Sequence, residues 1–108
     1  MQRGDIIATI GRGDFSPKPR PALVVQSNLF NEDHPAVTVC PITSQVTGDN
    51  FFRVPVSSDG QTGLLQDSEV EIDRVQAIWR QRIGQRIGRA PEEVMFAVDA
   101  ALRRWLEI

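Results

Sequence analysis

At 108 residues the chain is long enough for one domain with its own core and too short for a two-domain nucleotide-binding enzyme. Its apolar fraction of 41%, with 8 glycines, is ordinary for a globular protein, and its single cysteine (Cys40) and single histidine (His34) rule out an internal disulfide and argue against a structural zinc site. The net charge of −2 excludes a wholly cationic nucleic-acid binder.

Arg3 and Asp5 precede any long apolar stretch, which argues against a signal peptide. Residues 5–10 read as a first strand. Gly11-Arg12-Gly13-Asp14 and Ser16-Pro17-Lys18-Pro19 then form a loop rich in turn residues. Residues 22–26 make a buried-type strand. Its apolar run Ala22–Val25 is far short of the roughly 20 residues of a membrane span. A polar loop, 27–35, leads to a third strand over 37–42, whose faces read Val37, Val39, Pro41 and Thr38, Cys40, Ile42; Thr43 falls just past its end, on the odd-numbered face. Residues 51–56 form a fourth strand, which Pro55 assigns to an edge, and 57–63 a turn region.

Asp67, Glu69, Glu71 and Asp73 form an acidic stretch. Val70 and Ile72 share one parity, Val75, Ala77 and Trp79 the other, so the apolar phase slips near Asp73-Arg74; a β-bulge or a strand end would produce this. Arg74, Arg80, Arg82, Arg86 and Arg89 follow with no acid before Pro91, and all but one of the 12 basic residues are arginines, the exception being Lys18. Arginine favours bidentate phosphate or carboxylate contacts; a solvated face is the other reading of this run. Arg82-Ile83-Gly84-Gln85 is nearly repeated as Arg86-Ile87-Gly88-Arg89, which reads as a turn into a last short strand. From Pro91, suited to a first helical position, the pattern is helical. Glu92 and Glu93 favour the positive end, Val94, Val98, Ala101, Leu102 and Trp105 share one stripe, and Arg103 and Arg104 complement the other end. Trp105 reads as a packing residue.

Few residues offer chemistry. Cys40 reads as buried and inert, His34 as a surface residue, and Gly11-x-Gly13 lacks the strand–loop–helix context of a phosphate loop. Arg20 and Thr43 stand at the ends of two buried strands. A cation and a hydroxyl placed there could hold a phosphodiester, the arginine stabilising the extra charge of a phosphorane and the threonine donating to a nonbridging oxygen. The alternative is a surface arginine and a strand cap.

Several segments, in order, resemble the MazF/PemK-type toxins, a family of messenger-RNA endoribonucleases: "MQRGD" from Met1, "KPRPALVVQSNLFN" from Lys18, "VTVCPITS" from Val37, "GLLQDSEVEIDRVQAI" from Gly63 and "RIGR" from Arg86. The resemblance spans almost the whole chain. It implies a mainly β fold with a C-terminal helix, an SH3-like small β-barrel of the CcdB/MazF/Kid type, over residues 1–108. It implies a metal-independent, sequence-specific endoribonuclease of a type II toxin–antitoxin system that cuts single-stranded messenger RNA through a 2′,3′-cyclic phosphate and needs no cofactor. The expected partners are a second copy of the chain and an antitoxin whose acidic C-terminal segment occupies the RNA groove, all in the cytoplasm and with no membrane.

The family's catalytic arginine falls on Arg20, its threonine on Thr43, and an acid used by some members on Asp73. The general base is left open between Asp73, a water and a backbone-held group. The expected RNA contacts are Arg12 and Lys18 of the first loop, Ser44 beside Thr43, and Arg74, Arg80, Arg82 and Arg86. Glu71 stands where some members have arginine, and Ile6-Ile7 where others have an aromatic pair. The rival reading is a CcdB-like DNA gyrase poison without nuclease chemistry, which the Trp105 near the C-terminus would suit; a third is an inactive relative that only binds its partner.

Overall fold

Alternating apolar residues and closely spaced turn signals build the chain into short antiparallel strands closed by one helix. In the computed structural model, residues 1–10 and 19–108 are described. The strands are β1 (Asp5–Thr9), β2 (Arg20–Val24), β3 (Ala36–Thr43), β4 (Arg53–Val56), β5 (Ser68–Glu71), β6 (Gln76–Trp79) and β7 (Ile83–Arg89), followed by helix α1 (Glu92–Leu106). The sheet order is β4-β5-β3-β2-β1-β7, with β6 also paired to β3.

β3 is the pivot. One edge pairs with β2 through Val39, Cys40 and Pro41. The other is shared between β6, at Ala36–Val39, and β5, at Ile42 and Thr43. This fork gives the chain the expected mainly β fold with a C-terminal helix, but among the described residues the sheet does not close into a barrel. Closure needs both edge strands to find each other. Here the β7 edge is met by a loop, the Arg89 amide donating to the Gln61 carbonyl at 2.8 Å, while α1 packs on β4 at the other edge.

Both faces of the centre are buried, which is why β2 lacks polar interruption. Ile6, Leu23, Cys40, Ile42, Val70 and Ile72 join Val94, Val98 and Ala101 of α1 in the main core. Ile7, Ala22, Val24, Val37 and Val39 form a smaller cluster on the opposite face.

Of three local expectations, one is resolved and two change. The phase slip is a strand end and not a bulge: β5 stops at Glu71, and a short 3-10 helix, Ile72–Arg74, leads on to β6 and rotates the chain. The Arg-Ile-Gly near-repeat lies mostly within one seven-residue strand, because two register shifts against β1 absorb its extra residues. Pro91 is the residue before α1 and not its first, its extended backbone presenting its carbonyl to the Val94 and Met95 amides.

Candidate active site

Residues opposite each other in an antiparallel ladder project to the same face. In β2–β3 the pairs are Val24 with Val39 and Ala22 with Pro41; continuing that register by two residues sets Arg20 opposite Thr43. On its other side Arg20 is paired with Thr9, whose hydroxyl donates to the Arg20 carbonyl at 2.9 Å. Thr43 is paired with Glu69 of β5, and Glu71 with Arg53 of β4. Ile7 and Asp5 of β1 are paired with Arg86 and Arg89 of β7. Arg20 and Thr43 thus share a polar margin around the smaller apolar cluster, on the face away from α1.

The exposed Arg20 guanidinium pairs with no carboxylate among the described residues. Thr43 Oγ1 accepts the Gln45 amide at 3.1 Å, which fixes the oxygen and leaves its proton for an outside acceptor. Arg20 and Thr43 therefore offer a charge and a donor from adjacent strands, the pair a phosphodiester needs.

The other expected residues are dispersed. Ser44 is exposed beside Thr43. Arg74 lies 3.6 Å from Glu71, and Arg86 donates to Asp5 at 3.1 Å. The Arg82 carbonyl accepts the Ile10 amide at 2.7 Å. Arg80 is committed to the backbone, its guanidinium donating to the carbonyls of Asn31 at 2.7 Å and His34 at 2.6 Å. Arg12 and Lys18, with the loop they belong to, lie outside the described residues. The Asp73 charge acts on Cys40, which faces the main core, and one Asp73 carboxylate oxygen is buried without a hydrogen-bond partner among the described residues. No hydrogen bond or ion pair joins it to Arg20 or Thr43 among the described residues. Burial pushes the Cys40 thiol up to about 12, so Cys40 is no nucleophile.

Two arrangements near the site are not apparent in the sequence. Half of the acidic stretch is buried: Glu69 and Glu71 flank Arg53, with Arg53–Glu69 at 3.1 Å and Arg53–Glu71 at 3.6 Å. Burial alone would raise the Glu69 carboxyl, but hydrogen bonds from the Thr47 and Gly48 amides, the Thr47 hydroxyl and Arg53 outweigh it and hold it below 4.5. Asp5, also buried, is likewise held below 3.8, because the Gln2 amide, Arg86 and Arg89 together overcome desolvation. The signal for Glu69 and Glu71 was their strict alternation with Val70 and Ile72. It marks a strand face but does not name Arg53.

Residues 2–106 match the family of PemK-like, MazF-like toxins of type II toxin-antitoxin systems. The chain belongs to this family. It is 36% identical over 108 residues to a probable endoribonuclease MazF of Mycolicibacterium smegmatis, the match covering 100% of this chain and 98% of the relative. The fold is similar to that of the Mycobacterium tuberculosis toxin MazF-mt6, with a TM-score of 0.80, 27% identity and coverage of 96% of this chain and 97% of that one. A chain of a MazE-MazF crystal structure from Deinococcus radiodurans matches with a TM-score of 0.79 at 25% identity, covering 100% and 97%. These relatives do not favour the gyrase-poison reading. Among the described residues no helix is long and apolar enough to cross a membrane.

Proposed function

We propose that the chain cuts single-stranded messenger RNA at preferred sequences by intramolecular transesterification, with Arg20 and Thr43 on the scissile phosphate. That it is an endoribonuclease and a type II toxin follows from its family and from its 36% identity to a MazF endoribonuclease. The observation that supports this chemistry is the β2–β3 register, which, continued by two residues, brings the Arg20 guanidinium, without a carboxylate partner among the described residues, opposite a hydroxyl whose oxygen is already held.

In the reaction the ribose 2′-oxygen attacks the adjacent phosphorus. The O2′–P bond forms as the 2′-proton leaves, the P–O5′ bond breaks, and the 5′-oxygen takes up a proton. The products are a 2′,3′-cyclic phosphate and a 5′-hydroxyl. Arg20 stabilises the phosphorane, which carries more negative charge than the substrate, and Thr43 donates to a nonbridging oxygen. Arg20 does not act as a base, since its pKa exceeds ~12. Positive charge comes from Arg20, so the reaction needs no metal.

A MazE-MazF structure among the relatives supports an antitoxin partner for this chain, and an acidic antitoxin segment would compete with RNA for the Arg20–Thr43 face. The toxin acts as a homodimer in the cytoplasm, where messenger RNA is found; light scattering showing only monomer at micromolar concentration would count against the dimer.

The test is incubation of purified protein with a long single-stranded RNA in excess chelator, with the product ends identified. Cyclic phosphate ends are expected, and 2′-deoxy substitution at the cut site should abolish cleavage by removing the nucleophile. Cleavage of the deoxy substrate would overturn the mechanism.

A further inference from the structure

We propose that Glu69 is a positioning residue of the cleavage site, holding the Thr43 hydroxyl in place through Arg53 and the segment that follows Thr43. The inference rests on the role of Thr43 argued above and extends it to a carboxylate that the chemistry does not use.

Glu69 is almost wholly buried, although it is charged and sits beside a face meant for a polyanion. A buried carboxylate persists only where donors surround it. Its donors come from two places. From the segment after Thr43, the Thr47 amide reaches Glu69 Oε1 at 3.1 Å, the Thr47 hydroxyl at 3.2 Å, and the Gly48 amide reaches Oε2 at 2.9 Å. From β4, Arg53 Nη1 reaches Oε1 at 3.1 Å.

Both routes lead back to Thr43. The first pins the chain four and five residues beyond it. In the second, the same Arg53 nitrogen lies 3.5 Å from the Gln45 carbonyl, and the Gln45 amide is the group that holds Thr43 Oγ1. Thr43 is itself the β5 ladder partner of Glu69. Glu71 sits against the other Arg53 nitrogen at 3.6 Å and keeps the guanidinium fork from turning toward RNA. Arg53 therefore braces the site and is not a phosphate ligand, despite facing the same way as Thr43. A hydroxyl must stand within a fraction of an ångström of its place to donate in the transition state, and displacement lowers the rate more than it lowers binding.

The experiment measures kcat, KM and melting temperature on a single-stranded RNA oligonucleotide that the wild-type chain cuts, and the affinity of its 2′-deoxy counterpart. The variants are Glu69→Gln, Arg53→Lys, Thr43→Ala and the double variant Glu69→Gln/Thr43→Ala. Glu69→Gln should lower kcat about 10-fold, as expected for a misplaced group, with KM and deoxy-oligonucleotide affinity within about twofold of wild type. In the Thr43→Ala background it should cost almost nothing further, because the hydroxyl it positions is gone. Arg53→Lys preserves the charge beside both glutamates but loses the fork to Gln45, and should show the same kcat-selective loss; it carries the test if Glu69→Gln does not fold. Wild-type kcat in folded Glu69→Gln and Arg53→Lys, or equal losses with and without Thr43, would overturn the inference and leave the Arg20–Thr43 reading standing. Wild-type activity in Thr43→Ala would overturn both.

Discussion

Arg20 and Thr43 stood out in the sequence because each lies at one end of an apolar run and the family resemblance puts its arginine and threonine there; that they share a face needed the β2–β3 register. Arg20→Ala should lower the cleavage rate on the order of 100- to 1000-fold, as for loss of a transition-state donor, with RNA affinity much less affected. Arg20→Lys should recover little, because lysine lacks the planar fork. Thr43→Ser should keep part of the activity, since its hydroxyl can still accept the Gln45 amide. Single-turnover cleavage measures all three, and robust activity in Arg20→Ala would remove Arg20 from the chemistry. Glu69, Glu71 and Asp5 were not legible, because an acidic run reads as solvated until the fold brings Arg53, Arg86 and Arg89 to it. The donors around Asp5 and Glu69, which outweigh their burial, make acid destabilising. Asp5 and Glu69 have folded-state pKa values below their unfolded ones of 3.8 and 4.5, so their contribution is fully present above those values. It is lost as pH falls below them and through the lowered folded values. Melting temperature should therefore hold steady at neutral pH and fall in that acid window. Asp5→Asn should melt lower than wild type at pH 7, and the gap should close in acid; a gap independent of pH would show that the Arg86–Asp5–Arg89 cluster is not the cause.

At the scale of elements, the apolar patterns located β1 to β4 without their boundaries, left β5 and β6 as one slipped run, and read most of β7 as a turn. β2 begins at Arg20 and not Ala22, because its Arg20-Pro21 start is held by β1 across the ladder, a partner the local sequence cannot show. The Arg-Ile-Gly repeat misled for a related reason. Glycine suggested a turn, yet Gly88 serves close approach: a Cβ there would collide with the Thr62 backbone carbonyl. That contact, with Arg89 N to Gln61 O, docks the loop over residues 57–63 on the edge of β7. Gly88→Ala should cost about 1–3 kcal/mol by forcing the two apart, read as a shifted denaturant midpoint; an unchanged midpoint would mean the loop is not docked there. Trp105 packs its ring on Phe52 at a centroid distance of 6.0 Å, but 50% of the residue stays exposed. Trp105→Ala should therefore cost ~1–2 kcal/mol, below the ~3–5 kcal/mol of a fully buried aromatic, and should leave the chemistry of cleavage intact.

The whole molecule is slightly acidic and yet must hold a polyanion, so the distribution of charge decides affinity, and the sequence could not show which arginines are already engaged. The structure sorts them. Arg80 spends its donors on backbone carbonyls of the 27–35 loop, which orient it without neutralising it. Arg86 and Arg89 share a single carboxylate, Asp5, so that cluster keeps one net positive charge. Arg53 and Arg74 are balanced by Glu69 and Glu71. Among the described arginines expected to meet RNA, the charges that no carboxylate balances are those of Arg20, Arg80 and Arg82 and the one net charge of the Arg86–Asp5–Arg89 cluster. For a single strand each neutralised phosphate steepens the fall of log affinity with log salt by about 0.7. Affinity for a 2′-deoxy oligonucleotide, which is not cut, should therefore drop as salt rises. Arg20→Gln and Arg86→Gln should each flatten that slope by about 0.7, whereas Arg74→Gln, whose charge Glu71 already balances, should leave it nearly unchanged. Arg80→Gln should instead lower the melting temperature by releasing the loop it ties down. An acidic antitoxin segment competing for the same field should be displaced by salt with its slope flattened by the same two variants. Slopes unaltered by Arg20→Gln and Arg86→Gln would place the RNA elsewhere on the molecule.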